Sequence, residues 1–363
     1  MPEKTTMLRT LLLCLTLTIT SVCWAQDDWT VEDFMAETGV REGPVPSREL
    51  PGWHPDPTIM LRTDPADAES LAREFPDARF VDEGAEDANV IVGSCNAESV
   101  RTAENLVWVQ IFSSGAERCL AVEEIRSGQV LLTNMQKMSS PAIGEHAVAM
   151  ALSLARGLVR FGKVMPEGKW RREMNRDPDM FSVSGKTMLV VGLGGIGTAA
   201  AKRANALGMR VIATRNSSRE GPAFVDYVGL SDELPELMGK ADIIINALPL
   251  TSSTTGLFDK SLFAQAKPGA YFINVGRGKT VRTDALVEAL ESGQLAGAGL
   301  DVTDPEPLPS EHPLWQMPNV IITPHVSWAG ADRRLHSMLL RENIRRYLAG
   351  EALLNVVDPE RGY

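Results

Sequence analysis

The chain has 363 residues, of which 44% are hydrophobic and 23% charged, so it is long enough for two globular domains. Its formal net charge is −11, from 36 basic and 47 acidic residues, and the acidic residues form no long run. A protein that binds nucleic acid would usually carry a basic patch, so the charge balance argues against nucleic acid as a partner.

The N-terminus has the pattern of a secretory signal peptide. Lys4 and Arg9 precede an uncharged, largely apolar stretch over residues 10–24, and Ala25 offers a small residue before a polar segment. The stretch is short for a transmembrane helix, which needs about 20 apolar residues. We therefore predict a signal peptide over residues 1–25, export to the periplasm or the medium, and no stable membrane insertion of the mature chain. The alternative is a buried helix in a cytoplasmic protein.

Two of the four cysteines would leave with the signal peptide, and Cys95 and Cys119 would remain. One possible pair is not a disulfide framework, so we expect packed or free thiols, although the two could pair in an oxidising compartment. No group of Cys and His residues has metal-ligand spacing, and no structural zinc is predicted.

The first part of the mature chain alternates short apolar runs with polar, helix-like segments. Helices are predicted over residues 66–75 and 116–125. This β-α-β rhythm is typical of a parallel sheet with helices on both faces. The strand candidates are residues 58–61, 89–92, 106–112 and 129–132.

A long helix, opened by Pro141 and Gly144, leads into a second β-α-β series after a polar, loop-like segment over residues 170–185. A final helix is predicted over residues 329–349. The simplest architecture is α/β, with two doubly wound parallel-sheet domains. The six strand candidates of the second series are residues 187–191, 210–214, 242–246, 270–274, 297–301 and 320–323.

A glycine-rich segment follows the first strand of the second series and fits the dinucleotide-binding pattern Gly-x-Gly-x-x-Gly. Its first glycine, Gly192, would permit a tight turn, Gly194 would let the backbone approach a pyrophosphate, and Gly197 would let helix and strand pack closely. A tight turn without a ligand is the alternative, but the strand before and the helix after the segment favour a nucleotide. The residues are Gly192, Leu193, Gly194, Gly195, Ile196 and Gly197.

Arg277, Glu306 and His325 come shortly after the fourth, fifth and sixth strand candidates of the second series. Ligands of doubly wound folds bind at the carboxyl ends of the strands, so the three side chains are expected at one crevice. There the arginine could hold a carboxylate, the histidine could exchange a proton with a carbonyl oxygen, and the glutamate could orient the imidazole. Each residue taken alone has a structural alternative: a surface arginine, a loop glutamate and a helix-capping histidine.

The chain resembles the D-isomer-specific 2-hydroxyacid dehydrogenases over essentially everything after the signal region. In that family an arginine, a glutamate and a histidine have the roles just described, and the resemblance places these roles on Arg277, Glu306 and His325. Trp328 departs from the pattern, because many relatives carry small residues there, and it leaves the pocket size open. The segments that carry the resemblance are residues 144–147, 248–251, 267–278, 301–307, 323–325 and 355–358.

The resemblance also implies ligand contacts. The nicotinamide-carboxamide contact falls on Asp301, and further cofactor contacts fall on Pro249 and Gly276. Backbone N–H groups of Ser114 and Gly115 would bind the substrate carboxylate together with Arg277. The remaining histidines match no catalytic position and are expected to be structural or at the surface; they are His54, His146, His312 and His336.

The domain organisation that the resemblance implies is discontinuous. Residues 26–140 and 327–363 would form a flavodoxin-like substrate domain, and residues 141–326 a Rossmann NAD(P)-binding domain. The family also implies a homodimer built largely through the cofactor domains.

The second strand of the second series ends without the acidic residue that binds the ribose 2′-hydroxyl of NAD. Arg215, Asn216 and Ser217 follow it, and the first carboxylate is Glu220. We therefore expect NADP to be preferred over NAD, with Arg215 at the 2′-phosphate. In the alternative, Arg215 stacks on the adenine and both nucleotides are used.

The predicted function is hydride transfer between NAD(P)H and a small 2-keto or 2-hydroxy acid, with glyoxylate or hydroxypyruvate as the expected substrate type. One alternative is a phosphoglycerate-type dehydrogenase. Another, of a different class, is a non-catalytic nucleotide-sensing protein of the same fold. Export favours that last alternative, because free pyridine nucleotides should be scarce outside the cytoplasm.

Overall fold

The computed structural model describes residues 29–62, 65–176 and 180–362. The predicted signal peptide and its cleavage point lie outside the described residues. Within them the chain builds a five-stranded sheet, a seven-stranded sheet and a two-stranded ribbon.

The first part of the chain contributes six strands and four helices. Short 3₁₀ turns lie at Ser47–Glu49 and Ala85–Asp87. The helices are α1 (Val31–Thr38), α2 (Pro65–Glu74), α3 (Ala97–Thr102) and α4 (Glu123–Arg126), and the strands are β1 (Glu42–Pro46), β2 (Thr58–Leu61), β3 (Arg79–Val81), β4 (Val90–Val92), β5 (Trp108–Gln110) and β6 (Leu131–Thr133).

The five-stranded sheet is parallel, in the order β3-β2-β4-β5-β6. That is the flavodoxin-like strand order, with the first strand second in the sheet. Its central strands are buried on both faces, as expected for a parallel sheet covered by helices. All four predicted strands of this region are confirmed, and the edge strand β3 is an addition.

The middle of the chain contributes seven strands and six helices. They are α5 (Ser140–Ala155), α6 (Leu158–Val164), β7 (Thr187–Val191), α7 (Gly195–Ala206), β8 (Arg210–Thr214), β9 (Tyr227–Gly229), α8 (Leu234–Met238), β10 (Ile243–Asn246), α9 (Lys260–Phe263), β11 (Ala270–Asn274), α10 (Thr283–Glu291), β12 (Leu295–Leu300) and β13 (Val320–Ile322). Short 3₁₀ helices lie at Met165–Glu167, Arg172–Arg176, Ser231–Glu233, Gly278–Thr280 and Pro313–Gln316.

The seven strands form one parallel sheet in the order β13-β12-β11-β10-β7-β8-β9. The order reverses beside β7, which is the Rossmann arrangement and creates a crevice at the carboxyl ends of β7 and β10. The predicted α/β fold class with two doubly wound sheets is confirmed. The edge strand β9 carries no alternating or apolar run, which is why the sequence did not indicate it.

The long helix α5 packs against the seven-stranded sheet and α7. Gly144 makes the helix contact close, since a Cβ there would lie 2.7 Å from the Cβ of Ala199. Ala147, Ala151 and Leu154 of α5 belong to the same buried cluster as Met188 and Val190 of β7. The helix that follows β6 therefore already packs on the seven-stranded sheet.

The end of the chain returns to the five-stranded sheet through α11 (Arg333–Ala349) and β14 (Ala352–Leu354). Leu339, Ile344 and Tyr347 of α11 are buried in one cluster with Ile59 and Trp108 of that sheet. Strand β14 pairs antiparallel with β1, a pairing that the sequence did not indicate.

Two predictions in the first part of the chain were wrong. The helix expected over residues 116–125 is a series of turns that becomes helical only at α4. The expectation of two thiols also fails, because Cys95 and Cys119 form a disulfide with their Cα atoms 5.4 Å apart. The disulfide ties the turns that follow β5 to the loop that follows β4, an arrangement that cysteine spacing alone does not indicate.

Among the described residues no single helix has both the length and the apolar composition to cross a membrane. Two segments separated by a 68° bend, Ser140–Ala155 and Leu158–Glu167, meet those criteria only when they are counted together.

Candidate active site

The glycine-rich segment connects β7 to α7 and has the geometry that a pyrophosphate requires. Gly192 has φ +93°, in the left-handed region, and a Cβ there would lie 3.0 Å from Leu248 Cδ2. A Cβ at Gly197 would overlap the carbonyl oxygen of Gly192, whereas a Cβ at Gly194 would meet open space. The first and third glycines are thus needed for packing, and the second lies beside room for a ligand.

The N-terminus of α7 points its free amide groups into that room. Gly194 is the N-cap, and no described side chain caps the helix there. The first amides of a helix lack internal partners and favour an anion. The segment therefore fits the diphosphate of a dinucleotide.

Buried amide side chains fix the turn that carries Arg277. Asn274 Oδ1 accepts from the Gly276 N–H over 3.1 Å, and Asn246 Nδ2 donates to the same oxygen over 3.0 Å. Thr280 Oγ1 donates to the Arg277 carbonyl over 2.6 Å. Such a satisfied buried network is rigid, so the arginine has a defined origin at the end of β11.

The Arg277 side chain reaches across to the loop that follows β5. Its Nε donates to Glu117 Oε1 over 2.9 Å, and its Nη1 donates to the Gly276 carbonyl over 2.8 Å. A Cβ on Gly115 would collide with Arg277 Nη2. The structure thus brings Arg277 together with the predicted substrate loop of Ser114 and Gly115.

Further contacts fix the Ser114 segment. Ser114 Oγ donates to the Met135 carbonyl over 3.2 Å, and Asn134 Nδ2 donates to the Ser114 carbonyl over 2.8 Å. The Cys95–Cys119 disulfide closes the far end of the same loop. The backbone amides of the loop therefore start from a defined position, as an anion-binding loop needs.

His325 and Glu306 form a hydrogen-bonded pair at the carboxyl ends of β13 and β12. The imidazole Nδ1 lies 2.8 Å from Glu306 Oε1, and both side chains are a little more than 40% exposed. With Nδ1–H donated to an ionised carboxylate, Nε2 is the nitrogen directed at a ligand. The glutamate thus fixes which imidazole nitrogen can exchange a proton with substrate.

Asp301 holds the backbone of the histidine loop. His325 has φ +56°, a left-handed conformation that is unfavourable for a residue other than glycine. Asp301 Oδ1 accepts from the Val326 N–H over 2.9 Å and from Thr323 Oγ1 over 2.6 Å, and Oδ2 accepts from the Ser327 N–H over 3.1 Å. These bonds keep the loop in its strained conformation.

The electrostatics of Asp301 follow from those bonds. The carboxyl group is almost fully buried, and burial alone would raise its pKa. The hydrogen bonds from Ser327, Thr323 and Val326 outweigh burial and lower the pKa of Asp301 below its usual value of 3.8. Asp301 was predicted as a nicotinamide contact, and the structure shows that both of its oxygens also bind the protein.

Two further residues adjoin this loop. His146 Nε2 of α5 lies 3.0 Å from Thr323 Oγ1 and 3.9 Å from Asp301 Oδ1. The indole N–H of Trp328 donates to the His325 carbonyl over 3.1 Å, while the Trp328 side chain remains exposed. His146 therefore supports the histidine loop from α5, and Trp328 lies at the rim of the site.

The residues predicted to contact the adenosine end lie at the carboxyl end of β8. Arg215 Nε donates to the Leu193 carbonyl over 3.2 Å, and Nη1 donates to the Glu220 carbonyl over 3.0 Å. Asn216 Oδ1 accepts from Ser231 Oγ over 3.3 Å. Arg215 is thus fixed directly beside the glycine-rich segment.

Packing also brings the segments around Pro249 and Gly276 together. A Cβ on Gly276 would lie 2.7 Å from the Leu248 carbonyl oxygen, and a Cβ on Gly278 would overlap the Thr303 carbonyl oxygen. The turns after β10, β11 and β12 are therefore in mutual contact, and they line one edge of the sheet.

Glu117 is the site residue that sequence reasoning missed. It lies two residues after Gly115, and that proximity was the only available signal. Among the described residues no group of three or more His, Cys, Asp and Glu side chains could hold a metal ion.

Comparison with known proteins identifies the family. A family model described as "D-isomer specific 2-hydroxyacid dehydrogenase, NAD binding domain" matches residues 148–327. A hydroxypyruvate reductase of Blautia hydrogenotrophica is 32% identical over 258 residues, which are 70% of this chain and 79% of that protein.

Two crystal structures are similar over most of the chain. A D-isomer specific 2-hydroxyacid dehydrogenase of Xanthobacter autotrophicus in complex with NADPH and MES has a TM-score of 0.73 and 29% identity, with 85% of this chain and all of that chain covered. An NADPH-dependent glyoxylate/hydroxypyruvate reductase of Sinorhizobium meliloti, in complex with NADP and sulfate, has a TM-score of 0.71 and 27% identity, with 84% and 99% covered.

These likenesses confirm the resemblance found in the sequence and the predicted class of cofactor, NAD or NADP. The chain belongs to the D-isomer specific 2-hydroxyacid dehydrogenase family, and it is an NAD(P)-dependent oxidoreductase of 2-hydroxy acids.

Proposed function

We propose that this protein is an NADPH-preferring reductase of small 2-keto acids of the glyoxylate or hydroxypyruvate type. The observation that carries the proposal is the His325–Glu306 pair, 2.8 Å apart, at the sheet edge that also carries Arg277 and the glycine-rich segment. The hydroxypyruvate reductase of B. hydrogenotrophica and the glyoxylate/hydroxypyruvate reductase of S. meliloti support this substrate class.

The substrate carboxylate binds to Arg277 and to backbone amides of the Ser114–Gly115 segment. The guanidinium supplies charge-assisted hydrogen bonds in a planar fork, and the loop amides supply neutral ones. This placement directs the 2-keto group towards the His325 side of the crevice, and it distinguishes a keto acid from a simple aldehyde or ketone.

His325 supplies the proton for the carbonyl oxygen. Protonated imidazole donates from Nε2 as the alcohol forms, and Glu306 stabilises the positive charge and orients the ring. The glycine-rich segment from Gly192 to Gly197 would hold NADPH, which when bound would supply the hydride for the carbonyl carbon. Asp301 keeps the His325 loop in position throughout.

We also propose the domain division given above, with residues 26–140 and 327–363 as the substrate domain and residues 141–326 as the cofactor domain. Because Arg277 and His325 belong to the second and Ser114 to the first, closure of the two domains would exclude water from the acid site and set the reacting distance.

The NADP preference is supported by Arg215. Its Nε and Nη1 donate to the backbone carbonyls of Leu193 and Glu220. Nη2 is the guanidinium nitrogen that would donate to the 2′-phosphate. The complexes of the X. autotrophicus and S. meliloti proteins with NADPH and NADP agree with this preference.

The experiment is a screen of purified protein against 2-keto acids with NADPH and NADH, following absorbance of the reduced nucleotide. We expect turnover of glyoxylate and hydroxypyruvate. Tight nucleotide binding without turnover of any keto acid would favour the nucleotide-sensing alternative. Exclusive oxidation of a phosphorylated hydroxy acid would favour the phosphoglycerate-type enzyme.

A homodimer is proposed as well, built through the cofactor domain. Leu158, Met165 and Trp170 are large apolar residues on one segment after α5, and Trp170 is 94% exposed. Apolar side chains concentrated on a surface mark an interaction site. A monomeric mass by light scattering at micromolar concentration would contradict the dimer.

Export of the mature chain from about Gln26 is the last part of the proposal. It rests on the charged, apolar and small-residue pattern of residues 1–25, and the Cys95–Cys119 disulfide supports it because disulfides persist in oxidising compartments. N-terminal sequencing of protein from fractionated cells tests it, and an intact N-terminus in the cytoplasm would refute it.

A further inference from the structure

The substrate loop carries a carboxylate on the arginine that is proposed to bind the substrate. Glu117 Oε1 accepts from Arg277 Nε over 2.9 Å, and the two side chains are 36% and 28% exposed. They come from the loops after β5 and β11, on different sheets, so the ion pair spans the crevice between the two sheets.

The ion pair fixes the direction of the guanidinium. An arginine has five N–H donors in one plane. Glu117 takes the Nε donor and the Gly276 carbonyl takes one Nη1 donor, so the remaining donors belong to Nη1 and Nη2. Nη2 lies against Gly115, where a Cβ would collide with it. The Nη2 donors thus lie at the substrate loop.

Gly115, Glu117 and Arg277 are packed closely together. A Cβ on Gly115 would lie 2.5 Å from Glu117 Oε2 and 3.2 Å from Arg277 Cζ. A ligand carboxylate that reaches Arg277 beside Gly115 therefore lies next to the Glu117 carboxylate as well.

We infer that Glu117 positions Arg277 and restricts the acid site to substrates with a single negative charge. The inference rests on the proposed function, because it concerns the acid bound at Arg277. The glutamate neutralises the guanidinium, so one substrate carboxylate already makes the local cluster of charges negative. A second anionic group on the substrate would meet repulsion from the Glu117 carboxylate.

The inference separates the proposed substrates from the alternatives. Glyoxylate and hydroxypyruvate each carry one charge, whereas keto dicarboxylates and phosphorylated acids carry two or more. Glu117 thus favours the first group by electrostatics, independently of pocket size.

Oxamate and oxalate are suitable probes because they have nearly the same size and differ by one charge. Their dissociation constants are measured by calorimetry on the full mature chain in the presence of NADP⁺. The ratio of the two constants reports charge selection, and it does not require turnover.

Three variants dissect the role of Glu117. Glu117→Gln keeps an oxygen acceptor for Arg277 but removes the charge, so we expect the ratio to shift about tenfold towards oxalate. Glu117→Asp keeps the charge on a shorter side chain. The ratio of the two dissociation constants should therefore be unchanged, while both ligands bind more weakly. Glu104→Gln, at an exposed residue in the turn between α3 and β5, is the matched control and should change neither the ratio nor the two dissociation constants.

An unchanged ratio in Glu117→Gln would overturn the inference. If that variant does not fold, Glu117→Ala also removes the charge and gives the same test of the ratio. Failure of the proposed function has a different signature: wild-type protein would turn over no 2-keto acid, while the ratio would still respond to Glu117.

Discussion

The main-chain N–H of His325 donates to the carbonyl oxygen of Asp301 over 2.8 Å, and the Asp301 carboxylate accepts the N–H groups of the next two residues. One buried aspartate thus holds the proposed proton donor from three points. Because His325 has a positive φ, the loop needs this support to keep the imidazole beside Glu306.

Asp301→Asn should therefore destabilise the protein. One amide oxygen can replace one carboxylate oxygen, but the amide nitrogen faces N–H donors, and we expect a loss of about 2–4 kcal/mol in the free energy of unfolding. The measurement is urea denaturation at pH 7. An unfolding free energy within experimental error of the wild type would show that the loop does not depend on the carboxylate.

The loss of unfolding free energy in Asp301→Asn should also depend on pH. The pKa of Asp301 is lowered in the folded protein, so its contribution to stability is complete above its usual value of 3.8 and disappears as the pH falls through the lowered pKa. The difference between wild type and Asp301→Asn should therefore narrow in acid. A constant difference from pH 7 down to the acid limit of folding would contradict the assignment.

The parts of this site that the sequence predicted are those that lie in short motifs after strands. The glycine-rich segment and the segments of Arg277 and His325 each follow an apolar strand, and the ends of parallel strands meet at one edge. Their placement could be inferred because local pattern and sheet topology together determine it.

The parts that the sequence did not predict are contacts between distant segments. Glu117 and Arg277 are 160 residues apart, and no periodicity links them. The ribbon of β1 and β14 pairs Glu42 with Leu354, near opposite ends of the described residues. The disulfide depends on where turns place two cysteines, which only the folded backbone determines.

His325→Gln should abolish most turnover and leave nucleotide affinity nearly intact. Glutamine can hydrogen-bond but cannot deliver a proton, and the loss of general acid–base catalysis costs about 10²–10⁴-fold in kcat. Steady-state kinetics with glyoxylate give the rate, and fluorescence titration with NADPH gives the affinity. Near-normal kcat would remove His325 from the mechanism.

Glu306→Gln should lower kcat for reduction. Glu306 Oε1 lies 2.8 Å from His325 Nδ1, where the carboxylate orients the imidazole and balances its charge during proton transfer, and a neutral amide cannot balance that charge. We expect a smaller loss of kcat than the roughly 10²–10⁴-fold expected when the histidine itself is replaced. Steady-state kinetics with glyoxylate measure the effect, and a kcat equal to that of the wild type would show that the glutamate does not act through the histidine.

Removal of the disulfide by Cys95→Ala with Cys119→Ala should destabilise the protein and weaken substrate binding. The crosslink joins residues 24 positions apart. A loop of that size lowers the entropy of the unfolded chain and thereby stabilises the folded protein by about 3 kcal/mol. Because Cys119 lies two residues after Glu117, we also expect KM for the keto acid to rise more than kcat falls. Thermal unfolding and kinetics test both effects, and identical behaviour of the reduced and oxidised wild type would refute them.

Arg215→Asp should reverse the preference between the two nicotinamide nucleotides. Arg215 is fixed beside the glycine-rich segment by Leu193 and Glu220, and it follows β8 where an NAD-specific site carries an acidic residue. A charge-assisted bond to the 2′-phosphate is worth about 1.5–3 kcal/mol, which corresponds to a preference of about tenfold or more for NADPH. Aspartate would repel that phosphate and accept a hydrogen bond from the ribose 2′-hydroxyl of NADH. The test is kcat/KM for both reduced nucleotides, with Arg219→Asp as the matched control, since Arg219 pairs with Glu233. Equal wild-type values, or an Arg215→Asp variant that still prefers NADPH, would mean that Arg215 does not recognise the 2′-phosphate.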